Sequence, residues 1–186
     1  RCGSIEHKLG INASPTAVML FGENDGAVGY LIGEENRGIE YMFTMMNNAR
    51  LAVGLEGVGI AERAYQRARA FAGERMQSRD VIAGGKEPVA IINHPDVKRM
   101  LLSMRAQTEA VRGLAYWVAG KLDISKRHPD SQKAAEAQRL VDLLTPVVKA
   151  WSTDTGVEVA NTGVQVHGGM GFIEETGAAQ HLRDAR

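Results

Sequence analysis

Between Gly38 and about Gly73, apolar residues recur at three- and four-residue spacing: Ile39, Met42, Phe43, Met46, Val53, Ile60, Ala64, Ala68 and Phe71. One helix of that span is roughly 50 Å long at about 1.5 Å per residue. It cannot bury its own apolar stripe, so the chain must supply long partners for it. Its middle carries Ala49, Ala52, Gly54, Gly57, Gly59 and Ala61. These residues weaken an isolated helix and let a second backbone or a flat ligand come close.

The partners follow in order. Pro95 suits a first helical turn and Asp96 favours the same N-terminus. Val97, Met100, Leu101, Met104, Val111, Leu114, Ala115, Val118 and Leu122 then mark one face of a second helix to about Asp123. The stretch 125–131 is a break, and Asp130 or Ser131 caps a third helix. That helix carries Ala134, Ala137, Leu140, Val141, Leu144, Val147 and Val148 on one side and runs towards Val166, with a bend expected before Pro146. Residues 78–93 read as a Gly- and Pro-containing connection, and Glu174 to Arg183 as a last short helix. Ahead of all this, apolar runs at 16–21 and 27–32 flank Gly22-Glu23-Asn24-Asp25-Gly26 and predict a β-hairpin. The expected fold is mainly α: an up-and-down bundle of three long helices plus a short one, preceded by that hairpin.

Composition narrows the function. Lys+Arg and Asp+Glu both number 22, so no net field draws the 186-residue chain onto nucleic acid or an anionic membrane. No apolar run reaches the ~18 residues of a membrane span. A single cysteine, Cys2, excludes an internal disulfide framework and fits a reducing compartment. His7, His94, His128, His167 and His181 lack metal-binding spacing. A hairpin too small to stand alone and an N-terminal residue other than Met, Arg1, suggest a piece of a longer protein.

Chemistry concentrates at Gln165-Val166-His167-Gly168-Gly169-Met170-Gly171-Phe172. These glycines either cap a helix or let backbone N–H groups approach a pyrophosphate; GxGxxG spacing is absent. Arg75 either meets the dipole at a helix C-terminus or binds phosphate through its planar guanidinium. Adjacent acids Glu174 and Glu175 read as solvated charge. Met42, Met45, Met46 and Phe43 read as core, or alternatively as a methionine surface that adapts to a flexible acyl chain.

Several segments together resemble, in order, the C-terminal region of acyl-CoA dehydrogenases. They are Lys8-Leu9-Gly10-Ile11-Asn12-Ala13-Ser14-Pro15-Thr16, Ile32-Gly33-Glu34-Glu35-Asn36-Arg37-Gly38, Asn47-Asn48-Ala49-Arg50, Gly73-Glu74-Arg75, Gln165 to Phe172, and Leu182-Arg183-Asp184-Ala185-Arg186. His94-Pro95-Asp96-Val97 and Met42 to Asn48 are most similar to the larger bacterial members, the branch containing 3-(methylthio)propanoyl-CoA dehydrogenases. The resemblance implies that residues 1–37 end a middle β domain and that 38–186 form the C-terminal helical-bundle domain. It implies FAD as cofactor, α,β-dehydrogenation of an acyl-CoA, electron-transferring flavoprotein as acceptor, a homodimer or homotetramer, and the bacterial cytoplasm. No nucleic-acid partner is implied.

Carried over by position, Arg75 and Gln77 correspond to the family's Arg-x-Thr contact to the FAD of a neighbouring subunit, with Gln77 in the place of Thr. Gln165, Val166, His167, Gly168 and Gly169 correspond to the Gln-x-x-Gly-Gly segment that meets the ADP portion. His94 matches a His-Gln pair whose Gln is here Pro95, and Asn47 and Arg50 match positions that line the acyl-CoA pocket. The proton-abstracting Glu is expected just after Arg186. The alternative position on the long helix is Ala49, so the 186-residue piece by itself is expected to be inactive. An acyl-CoA oxidase and a non-catalytic, DNA-associated relative are the competing readings.

Overall fold

The structure, a computed structural model, describes residues 1–186. Strand β1 (Cys2–Ile5) pairs antiparallel with β2 (Ala17–Met19); α1 (Gly38–Glu74) follows. Strands β3 (Met76–Arg79) and β4 (Pro88–Ala90) form a second antiparallel pair, followed by a 3-10 turn over Ile91–Asn93. Helices α2 (Pro95–Arg127), α3 (Ser131–His167) and the short α4 (Ala178–Ala185) complete the chain. The three long helices pack on one another, with α3 against both α1 and α2, as expected for an up-and-down bundle.

Each boundary has a local cause. Pro95 opens α2 and Asp96 stands in its first turn. Lys126 and Arg127 occupy the last turn of α2, where cations meet the negative end of the helix; α2 therefore passes Asp123 by one turn. Asp130 caps α3, its carboxylate accepting from the N–H groups of Gln132 at 2.9 Å and Lys133 at 3.3 Å. Pro146 does not divide α3. Its ring deprives only the Asp142 carbonyl of a helical donor, and Thr145 Oγ1 donates to the Val141 carbonyl at 2.7 Å in the same turn.

The core forms two clusters. One joins Ala61, Ala64, Ala68 and Ala72 of α1 to Leu101, Met104, Val159, Ala160 and Val166; the other holds Leu51, Ala115, Val118 and Val148. The buried side of α1 is thus built of small residues, and the larger Ile60 and Phe71 flank it half-buried. At the α1–α3 crossing, a Cβ on Gly57 would stand 2.5 Å from the Ser152 carbonyl oxygen, and one on Gly156 3.1 Å from that of Gly57. The helices approach there to backbone contact, which accounts for Gly57, while Gly59 faces away and a Cβ on it would meet nothing within 4 Å.

Four expectations need correction. The 16–21/27–32 hairpin is not formed: β2 lies within the first run, but its partner is β1, with Cys2 opposite Met19 and Ile5 opposite Ala17. Residues 27–32 make no strand and are exposed. A strand requires a complementary hydrogen-bonding edge, and intrinsic preference does not provide one. The connection 78–93 contains β4, paired with β3. Met42, Phe43 and Met45 are exposed instead of core, because the buried face of α1 begins only at Leu51. Val147 is likewise exposed, Thr145 and Val148 taking the inward positions of that turn.

Candidate functional site

A groove of about 750 Å³ opens where the C-terminus of α1, the β3 strand, the start of α2 and the end of α3 converge. Its walls hold Arg75, Gln77, His94, Gln165, Val166, His167, Gly168 and Gly169 together. The structure thus gathers, from three separate stretches, every residue that the sequence assigned to a cofactor. The size lies within the range of small-molecule sites, roughly 300–1,000 Å³.

Arg75 is the C-cap of α1: its N–H donates to the Phe71 carbonyl at 2.9 Å, and its guanidinium makes no ion pair within the chain. The strand after it breaks register between Met76 and Arg79, and Ser78 takes a left-handed backbone at φ 59°. His94 pins this irregularity, with Nε2 2.8 Å from the Gln77 carbonyl oxygen. A carbonyl only accepts, so Nε2 is the donor. The opposite wall ends α3. Val166 and His167 are buried there, whereas Gln165 is exposed. Gly168 follows with φ 57° and ψ −138°, a combination open to glycine alone, and turns the chain into the 3-10 segment 168–172. Cβ atoms on Gly168 or Gly169 would meet nothing within 4 Å, so the backbone there borders open groove.

No carboxylate lines this groove, although Arg75 and His94 do. Its residues therefore suit an anionic ligand with a flat or apolar part, which Phe71, Val97 and Met170 can face. Met170 belongs to the glycine-containing segment that the sequence marks, whereas Phe71, Ser78, Val81, Ile91 and Val97 are site-lining residues that the sequence did not mark as such. Phe71 and Val97 carry only a helical core signal, and the left-handed conformation of Ser78 leaves no trace in composition.

Asn47 and Arg50 lie elsewhere, in a second groove of about 640 Å³ between α1, the end of α2 and the first half of α3. Asn48, Lys126, Gln138 and Asp142 line it with them. The Arg50 guanidinium carbon stands 5.9 Å from the Phe43 ring centroid, which steadies the side chain. Glu174 is in neither groove; it accepts from both terminal nitrogens of Arg183 at 2.7 and 2.9 Å. Glu175 is exposed and also outside both. No three His, Cys, Asp or Glu side chains converge as a metal cage, and no helix is long and apolar enough to cross a membrane.

The class of protein follows from comparison with known sequences and structures. Residues 36–186 match the family profile described as "Acyl-CoA dehydrogenase, C-terminal domain". The chain belongs to the acyl-CoA dehydrogenase family, in which it represents that domain. A 3-methylmercaptopropionyl-CoA dehydrogenase of Ruegeria pomeroyi is 58% identical over 185 residues, covering 100% of this chain and 31% of that protein. A butyryl-CoA dehydrogenase of Syntrophomonas wolfei is 36% identical over 187 residues, again spanning 31% of the relative. Among solved structures, butyryl-CoA dehydrogenase from Megasphaera elsdenii superposes with TM-score 0.74 at 29% identity, covering 100% of this chain and 43% of that one. Caenorhabditis elegans ACDH-11 in complex with C11-CoA gives TM-score 0.81 at 27% identity, with 100% and 29% covered. The chain thus spans about a third of the length of the curated relatives it matches.

Proposed function

We propose that these residues are the C-terminal helical domain of an FAD-dependent acyl-CoA dehydrogenase, and that the carboxylate-free groove receives the ADP part of FAD. The observation that carries this reading is the convergence of Arg75, His94, Gln165, Gly168 and Gly169 on one groove with open space before both glycines. Arg75 would neutralise phosphate charge and hydrogen-bond its oxygens. Backbone N–H groups at the glycine turn would approach the pyrophosphate where no Cβ intervenes. His94 would act chiefly by holding Gln77 and Ser78 in place, since Nε2 is already used within the chain. Bound FAD supplies the two-electron acceptor that side chains lack.

Asn47 and Arg50 would line the acyl-CoA site, with exposed Met42 and Met45 offering an adaptable apolar surface to the acyl chain. Proton removal from the acyl α carbon would fall to a carboxylate outside these 186 residues, Ala49 holding no acid at the long-helix position; the piece alone would then be inactive. Residues 1–37 would finish a preceding β domain, and the exposed Val28, Tyr30, Leu31 and Ile32 would pack against it. The whole protein would work as a bacterial cytoplasmic homodimer or homotetramer, with the FAD of one subunit meeting Arg75 of the next. Electrons would pass to electron-transferring flavoprotein. The sequence relatives, acyl-CoA dehydrogenases in name, support this reading over an oxidase.

The test is flavin content. The intact protein should carry about one FAD per subunit, and Arg75→Ala combined with Gln165→Ala should weaken FAD at least about tenfold, as expected when charge-assisted hydrogen bonds of about 1.5–3 kcal/mol are lost. Undiminished FAD affinity in that variant would refute the placement.

A further inference from the structure

His167 stands where the bundle meets the groove. It is 4% exposed. Its ring stacks on Phe71 of α1, centroids 4.4 Å apart at 28°, and its Nδ1 lies 2.7 Å from the Gly163 carbonyl oxygen one turn back. Because a carbonyl only accepts, Nδ1 bears the hydrogen, and Nε2 of the neutral ring is left as an acceptor. The next residue is Gly168, whose glycine-only dihedrals start the turn along the groove wall. The stacked ring thus stands immediately before that turn.

A protonated ring would carry a second N–H and a positive charge, and no carboxylate lines the space on either side of it to balance that charge. Arg67 faces it from α1 and His181 from α4, while Arg75 and His94 share the groove. On its own helix the only partner is the Gly163 carbonyl, already engaged. The α4 carboxylate Asp184 acts on His181. Burial foremost, with the positive charge of Arg67, pushes the His167 pKa below its ordinary value, against the opposing pull of the Gly163 carbonyl. The negative end of α3 favours a cation here; burial of the ring and the positive charge of Arg67 oppose it.

We propose that His167 is a positioning residue of the groove: neutral, it wedges between Phe71 and α3 and holds the Gly168–Gly169 backbone at the wall. Protonated, it leaves that wedge for water and the wall loosens its hold on a bound dinucleotide. The proposal rests on the reading that the groove receives FAD. A depressed pKa means that the grip is full above the ordinary histidine value near 6.5 and is lost as pH falls through the lower value in the folded protein.

The experiment measures the FAD dissociation constant of the intact holoenzyme by flavin fluorescence from about pH 8 to about pH 5, for wild type, His167→Asn and His167→Phe. Wild-type affinity should fall by up to about tenfold per pH unit below the titration, the limit for one linked proton. Asn keeps an N–H for Gly163 and Phe keeps the stack, but neither titrates, so both variants should give level profiles, that of Phe the weaker throughout. A level wild-type profile, or variants that retain the wild-type slope, would overturn the proposal. Imidazole nitrogen chemical shifts of the wild-type holoenzyme answer the question without substitution. His167 should stay the neutral Nδ1–H form until flavin departs, and a ring that titrates while flavin stays bound refutes its role. A protein that binds no FAD at any pH refutes the groove reading itself, whereas pH-independent stoichiometric FAD refutes only the part assigned to His167.

Discussion

Gly57→Ala is the most direct probe of how the bundle is held together. The added methyl would lie 2.5 Å from the Ser152 carbonyl oxygen, 2.7 Å from its carbon and 3.0 Å from the Thr153 nitrogen. All three are backbone atoms of α3, so no rotamer change relieves the overlap. Ordinary contact begins at 3.4 Å, and restoring it requires α1 and α3 to part by about 0.9 Å at the crossing. Overpacking of this kind costs typically about 1–3 kcal/mol. The helix preference of alanine over glycine returns up to about 1 kcal/mol. A net loss of up to about 2 kcal/mol corresponds to a melting midpoint lower by up to roughly 8 °C for a domain of this size. Gly59→Ala is the control, since its methyl would meet nothing within 4 Å. It should gain the helix preference alone and melt up to about 4 °C higher. Thermal unfolding of the intact protein, followed by circular dichroism, compares the two directly. If Gly57→Ala were as stable as Gly59→Ala, the backbone-to-backbone packing of α1 on α3 would be wrong.

Other substitutions test separate features. Asp130→Ala removes the carboxylate that accepts two N–H groups at the start of α3 and should cost about 1 kcal/mol of stability by denaturant titration, while Asp130→Asn should cost less. Gly168→Ala meets no steric neighbour but forces a side chain into dihedrals closed to it; a loss of about 1–3 kcal/mol is expected, accompanied by weaker FAD binding. Glu62 accepts from Arg112 at 2.5 Å and from Gln66 at 2.7 Å, and the Arg112 bond foremost holds its carboxyl below the usual range. Both partners are about 30% exposed, so Glu62→Gln should cost no more than about 1 kcal/mol at neutral pH. Because the folded value is the lower one, that difference should vanish as pH falls through it, below the ordinary glutamate value of 4.5. His181, pushed below its ordinary value chiefly by burial and by Arg63 and Arg67, should withdraw stability earlier, as pH falls below about 6.5. His181→Gln should blunt that first loss in an unfolding series taken across pH.

The helices were legible because period, caps and breakers act within a few residues. Pro95 with Asp96, Asp130, and Gly168 mark ends that the structure reproduces to within a turn. Which residues of α1 face inward was less legible. Ile39, Met42 and Phe43 share the helical period, yet they precede the first inward residue, Leu51, and stay exposed. Period reports a stripe without saying over what length a partner covers it. Strand pairing was least legible, since β2 could not announce that β1 and not 27–32 would complete it.

By itself, then, the sequence determined a bundle of three long helices, the small-residue seam that lets two of them touch, and, through ordered motifs, the family to which the chain belongs. Only the tertiary structure decided that Arg75, His94 and Gln165 to Gly169 face one another across a single groove, that no carboxylate enters it, and that His167 is stacked and tied within its wall. The reason is physical. Helix formation is governed by neighbours three and four residues away, whereas a site is made where segments some 20 to 90 positions apart are brought together by burial of a core that none of them forms alone.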